Sequence, residues 1–197
     1  AGLSVTPYYN KPTQEGLYRH YCAIAEASGL PQILYNVPGR TCCDLKPETG
    51  ARRAKGPGIT GLKVARGGLG RAPLLRQLWG PDFARYSGDD ASGCDFMLQG
   101  GDGVISVTTN IAAPQMADMC RAALAGDAGQ AHDINNRLMP LHQTLFCEPS
   151  PIPVKWACAR LGLMATATLR LPLTDLTPEG EQAMARALTT AELMASV

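Results

Sequence analysis

The chain has 197 residues, 45% of them hydrophobic and 18% charged, with a formal net charge of +1. That length and apolar content can bury the core of one domain, or of one domain with a small appendage. A charge so near zero leaves no electrostatic footprint for DNA or RNA, and no run of about 18 apolar residues is present to cross a membrane as a helix.

The chain opens on AGLSVTPYYN, without methionine and already inside a strand-like pattern. It reads as a chain whose beginning is missing, and it is silent on targeting. In chain order, LSVT (3–6), QILYN (32–36), ITGLK (59–63), FARYS (83–87) and GVISV (103–107) are predicted strands, short, apolar and bounded by Gly, Pro or Asn. Between the first two, residues 15–28 place Leu17, Tyr21, Ile24 and Ala25 on one helical stripe. Weaker helices are expected near 47–55, 70–79 and 90–99, and the basic residues Arg52, Arg53 and Lys55 read as a solvated helix face. Strand and helix alternating at this rhythm predict parallel strands with crossover helices. From about residue 111 only helical patterns remain, at 113–127, 130–146, 152–162 and 177–193. The last begins on Thr177 with Pro178 at the first helical position and Glu179 behind it, a strong start signal.

Seven cysteines form no CxxC pair, and their odd number fits reduced thiols in a cytoplasmic setting better than a disulfide framework. Three scattered histidines offer no zinc spacing, so no structural metal is expected. Five parallel strands fit either a doubly wound sheet or the last part of a (β/α)8 barrel. No GxGxxG follows the first strand and no Walker loop is present; GGLG at 67–70 is only a loop signal. In both architectures ligands sit at the carboxyl ends of the strands, and the unusual residues fall there.

The third strand ends on Lys63, one of only five lysines. Side chains alternate along a strand, so Ile59, Gly61 and Lys63 are expected to share a face, as do Ile33 and Tyr35. Tyr35 and Lys63 would then stand on adjacent strands, about 5 Å apart, with Gly61 leaving room for a small molecule. A free lysine, with a pKa near 10.4, is neutral in roughly one molecule in a few thousand at pH 7. Burial can bring that pKa down by several units, and the neutral amine can then attack a ketone to form a Schiff base. The plainer alternatives stay open from the residues alone. Lys63 could pair with Asp89 or Asp90, Tyr35 could be a core aromatic, Arg40 a turn residue paired with Asp44, and Tyr8 and Tyr9 packing residues. Asp89 and Asp90 read as helix caps.

VTPYYNKP (5–12), LYNVPGRT (34–41), GLK (61–63), SGDDAS (87–92), GVISVT (103–108) and EPSPIPVKWA (148–157) together resemble the dihydrodipicolinate synthases, within the wider family of pyruvate-dependent class I aldolases and N-acetylneuraminate lyases. The resemblance covers nearly the whole chain. It implies a (β/α)8 TIM barrel, here strands four to eight over residues 1–126, followed by a C-terminal helical bundle over 127–197.

The resemblance also implies roles. Lys63 matches the Schiff-base lysine, Tyr35 a proton-relay tyrosine, and Tyr9 a tyrosine that extends the relay from the neighbouring subunit. Arg40 matches the arginine that holds the carboxylate of aspartate semialdehyde. Gly88 and Ile105 match positions lining the pyruvate site through backbone atoms, and Tyr8 lies where the family binds feedback lysine. No cofactor is implied beyond the covalent Schiff base. The implied partners are pyruvate, aspartate semialdehyde and further copies of the chain, in a tetramer built from two tight dimers, with no nucleic acid or membrane.

Two departures stand out. The family usually follows its lysine with Glu-Ala-Thr, whereas Val64, Ala65 and Arg66 stand here; Arg66 could depress the Lys63 pKa by like-charge repulsion or obstruct the site. The family's second strand, with a glycine and paired threonines that cradle the pyruvate carboxylate, has no counterpart, so the chain alone is expected to be poorly active. Rival readings are a sister lyase acting on sialic acid or a 2-keto-3-deoxy sugar acid, a non-catalytic remnant with an assembly role, and a doubly wound binding module.

Overall fold

The structure is a computed structural model that describes residues 1–54, 58–65 and 71–195. Arg66, the 67–70 loop signal and Lys55 lie outside the described residues, and the side chain of Arg53 with them. The chain divides into two compact units, Ala1–Ile105 and Ser106–Val197. The expected domain limit at 126/127 falls inside the second, in the turn between two of its helices.

The first unit alternates strands and helices: β1 (Gly2–Val5), α1 (Gln14–Ser28), β2 (Gln32–Asn36), the short α2 (Pro38–Thr41), α3 (Pro47–Ala54), β3 (Ile59–Val64), α4 (Arg71–Trp79), β4 (Ala84–Ser87), α5 (Asp90–Leu98) and β5 (Gly103–Val104). The strands form one parallel sheet in the order β1-β2-β3-β4-β5. A doubly wound sheet reverses its strand order at a switch point. Five strands each beside its sequence neighbour, without reversal, are the arrangement of part of a (β/α)8 barrel.

Helix α1 starts where Thr13 accepts a hydrogen bond from the Gly16 N–H at 3.1 Å and stops at Gly29, whose φ of 62° favours glycine. Its Leu17, Tyr21 and Ala25, one turn apart, are buried, and Ile24 packs at their margin. They join Leu34, Ile59, Leu62, Val64, Leu75, Trp79 and Phe83 in one core on the helix-packed side of the sheet. Each large side chain removed from water there contributes about 1.5–3 kcal/mol.

Ile59 corrects the alternation read from sequence. The ladder runs Gln32↔Ile59 and then Ile33↔Gly61, so Thr60 is an extra residue on β3. The bulge places Ile59 in the helix-side core with Leu62 and Val64, while Gly61 and Lys63 keep the other face.

A charged residue also enters that buried side. Arg85 on β4 is 1% exposed. Its Nε and Nη2 donate to Oδ2 and Oδ1 of Asp102 at 2.9 and 3.1 Å, its Nη1 to the Gly80 carbonyl at 3.3 Å, and its backbone N–H to Asp102 Oδ2 at 2.8 Å. The two-pronged pair ties β4 to the loop entering β5. Strand β5 is shorter than the predicted 103–107: Ile105 still donates to the Ser87 carbonyl at 2.8 Å, but Ser106 turns its hydroxyl to the Thr109 N–H at 3.0 Å, favouring helix entry over ladder.

The second unit holds α6 (Thr109–Leu124), α7 (Ala128–Thr144), α8 (Ile152–Arg160) and α9 (Pro178–Thr190). Helix α6 is kinked at Ala112, two residues before Pro114, so the predicted start at 113 corresponds to its second segment. Thr177 caps α9 by accepting from the Gly180 N–H at 3.1 Å, and its own hydroxyl donates to Glu148. The buried Met116, Met119, Leu138, Leu141, Met184 and Leu188 belong to this unit. No helix among the described residues is long and apolar enough to cross a membrane.

Candidate active site

Lys63 is the next-to-last residue of β3, on the sheet face opposite the helix-packed core. Its Cα is in register with Tyr35 on β2 and Tyr86 on β4. Three side chains therefore stand side by side across three strands. The Lys63 Nζ rests 4.3 Å from the centroid of the Tyr35 ring, within reach of its electron-rich face. Lys63 is half-buried. Loss of water pulls its pKa below that of a free lysine, against the weaker opposing pull of the Asp90 carboxylate. The result is a larger share of neutral amine, the nucleophilic form.

Tyr35 responds to the same burial in the opposite sense. Desolvation pushes its phenol pKa up, and the Arg40 guanidinium offsets only part of the rise. A phenol held protonated is a proton donor at neutral pH, not a standing base.

The loop that carries Arg40 is fixed by two buried polar residues to which no sequence motif gives a role. Asn36, at the end of β2, donates to Asp44 Oδ1 at 2.8 Å and to the Leu45 carbonyl at 3.2 Å, and its Oδ1 accepts from the Leu45 N–H at 3.0 Å. Thr41 accepts from the Thr6 hydroxyl at 3.1 Å, and its single hydroxyl proton lies within reach of the carbonyls of Cys43 (3.0 Å) and Val37 (3.2 Å). These bonds hold the turn after β2 against the end of β1. Arg40 lies in the one-turn helix α2, exposed to solvent.

Gly88 fits for a steric reason. A Cβ there would lie 2.6 Å from Lys63 Cε and 3.2 Å from its Cγ, so any larger residue would have to displace the lysine arm from its path. The Gly88 and Ile105 N–H groups already donate to the carbonyls of Val64 (2.7 Å) and Ser87 (2.8 Å). What these positions still offer a ligand is their carbonyls and the half-buried Ile105 side chain. The space expected above Gly61 is occupied: a Cβ there would meet the Ala84 carbonyl at 3.0 Å and Tyr86 Cε2 at 3.5 Å.

Tyr8 and Tyr9 are not drawn into this group. They are 70% and 89% exposed, and Tyr9 has a φ of 69°, rare for a bulky residue. Asp89 holds the N-cap position of α5 without a side-chain capping bond; Ser87 Oγ accepts from the Asp89 N–H at 3.1 Å instead. Asp90 is 2% exposed and its carboxylate acts on Lys63, in line with the open alternative of a Lys63 partner at Asp89 or Asp90. Its signal in the sequence was position alone, three residues beyond a strand adjacent to Lys63.

The model of the dihydrodipicolinate synthetase family matches residues 1–191. The chain is 59% identical over 192 residues to the 4-hydroxy-tetrahydrodipicolinate synthase of Sodalis glossinidius, covering 98% of this chain and 66% of that protein. It superposes with a TM-score of 0.94 and 51% identity on the crystal structure of chloride-inhibited dihydrodipicolinate synthase from Acinetobacter baumannii complexed with pyruvate, covering 98% of this chain and 66% of that one. A dihydrodipicolinate synthase variant described as monomeric gives a TM-score of 0.93 at 39% identity, over 98% of this chain and 65% of that one. The chain thus spans just under two thirds of the length of these relatives.

Proposed function

The chain belongs to the dihydrodipicolinate synthetase family, and from that premise we propose that it carries the reacting amine of a synthase that condenses pyruvate with L-aspartate 4-semialdehyde to 4-hydroxy-tetrahydrodipicolinate, in the diaminopimelate route to lysine. The observation that carries the reading is the Lys63 amine, half-buried over the Tyr35 ring at the carboxyl end of a parallel strand. Neutral Lys63 adds to the ketone carbon of pyruvate, and the carbinolamine expels water to leave an imine. The imine gives up a methyl proton and becomes an enamine, whose carbon attacks the aldehyde. The amine of that adduct then displaces Lys63 as the ring closes, so the lysine is regenerated.

Tyr35, kept protonated by its surroundings, is suited to hand a proton to the carbinolamine oxygen and to the aldehyde oxygen as each becomes an alkoxide. Arg40 offers a planar cation for the carboxylate of the aldehyde substrate, which favours a short charged aldehyde over a polyhydroxylated tail. Tyr9, exposed on its strained turn, is available to a neighbouring copy, in keeping with a relay completed across a dimer and a tetramer of two such dimers. The chemistry calls for no metal or organic cofactor.

Incubation with pyruvate and borohydride tests the reading. A stable adduct mapped to Lys63 is expected. Absence of any adduct, or an adduct equally spread over surface lysines, overturns it. A coupled assay comparing aspartate semialdehyde with N-acetylmannosamine separates the synthase from a sister lyase.

A further inference from the structure

Tyr86 has no part in the reaction above, yet it is the residue in register with Lys63 on the β4 side, as Tyr35 is on the β2 side. Its ring lies between two glycines. A Cβ at Gly61, two residues before Lys63 on the same face, would come within 3.5 Å of Tyr86 Cε2. A Cβ at Gly103, directly across on β5, would come within 3.3 and 3.4 Å of Cδ1 and Cε1. Side chains at either position would compete with the ring for its place. The ring therefore fills the trough those glycines leave, on the amino-terminal side of Lys63.

We propose that Tyr86 is a positioning residue that forms the floor of the Lys63 site and limits the size of the 2-oxo acid that can reach the amine. The assignment rests on the Schiff-base reading of Lys63. Take away the ring, and Gly61, Ala84 and Gly103 become a continuous groove beneath the amine that admits a longer chain, and water with it. The other groups that act on Lys63, Tyr35 from β2 and Asp90 from α5, stay in place, as does Arg40 acting on Tyr35. An effect of removing the ring can therefore be traced to the ring.

The experiment compares the full chain with Tyr86→Ala and Tyr86→Phe, trapping adducts on Lys63 with borohydride in pyruvate or in 2-oxobutyrate. A methylene that fits or fails to fit a pocket is worth about 10–200-fold. Tyr86→Ala is expected to move the ratio of the two trapping rates toward 2-oxobutyrate by about tenfold or more; Tyr86→Phe, with its ring restored, returns it to the parent's. Should Tyr86→Ala fail to fold, Tyr86→Leu, which fills only part of the trough, is judged by the same ratio. A second readout needs no keto acid. Reductive 13C-methylation and NMR titration of Lys63 should show its pKa moving up toward that of free lysine when the ring is removed. An adduct in the parent with ratio and titration both unmoved in Tyr86→Ala overturns the floor assignment alone. No adduct in the parent, with the Lys63 titration shifted by Tyr86→Ala, sinks the synthase reading and leaves the floor in place.

Discussion

Replacing Asp102 with alanine deprives the Arg85 guanidinium of its carboxylate, on a side chain that is 1% exposed in the intact chain. Three hydrogen bonds go at once, two from the side chain and one from the Arg85 N–H. Hydrogen bonds to charged groups are worth about 1.5–3 kcal/mol each, but simple addition overshoots because all three end on one carboxylate. The Asp102 side chain is 38% exposed, so water can enter its place and hydrate one side of the guanidinium. The expected loss is therefore about 3 kcal/mol, at the lower end of the ~3–5 kcal/mol typical of breaking a buried pair. In a chain of this size that lowers Tm by about 6–12 °C. Urea unfolding should show a lower midpoint with an unchanged slope. The double variant Arg85→Leu with Asp102→Ala removes the stranded charge as well as its partner, and should recover most of the loss. A single-variant cost below about 1 kcal/mol, or a double variant no better than the single, would refute the idea that an uncompensated buried charge sets the penalty.

The remaining expectations concern the site. Gly88→Ala forces a Cβ to within 2.6 Å of Lys63 Cε; pyruvate trapping should drop by about 100-fold, the scale of a misplaced reacting group, with circular dichroism unchanged. The rate of adduct formation should rise with pH and level off at a midpoint below that of free lysine, because only the deprotonated amine attacks and burial has depressed its pKa. Asp90→Asn removes the carboxylate that favours the ammonium, so that midpoint should move further down; an upward move would show that the sign is wrong. Thr41→Val breaks the bond to Thr6 and takes the hydroxyl away from the Cys43 carbonyl, while the Val37 carbonyl keeps the N–H groups of Arg40 and Thr41; a stability loss of about 1–3 kcal/mol is expected by thermal unfolding.

Much of the site could be read from alternation. The period of two puts Tyr35 and Lys63 opposite each other, and the ladder pairs those Cα positions. Thr177, Pro178 and Glu179 announced α9 because capping is local chemistry that three adjacent residues can spell. What stayed hidden was non-local or irregular. An extra residue at Thr60 breaks the alternation that had put Ile59 beside Gly61 and Lys63. Tyr86 fills the gap that Gly61 alone promises, and only the packing of a neighbouring strand reveals it. Arg85 in a buried strand position contradicts hydrophobic patterning until its partner, 17 residues on, is seen. Whether Asp89 or Asp90 acts on Lys63 is open in the sequence, and only the fold singles out Asp90.

The bulge at Thr60 has a consequence for how this stretch can vary. The surplus residue is slack in the strand: with Thr60 deleted, Ile59 could still face Gln32, Gly61 Ile33 and Lys63 Tyr35, in a ladder that now alternates without interruption. A residue gained between Ile59 and Lys63 finds no such slack, and must either widen the bulge or turn Lys63 over to the helix side. This segment should thus tolerate the loss of one residue more readily than the gain of one, because only the gain puts the nucleophile's orientation at risk.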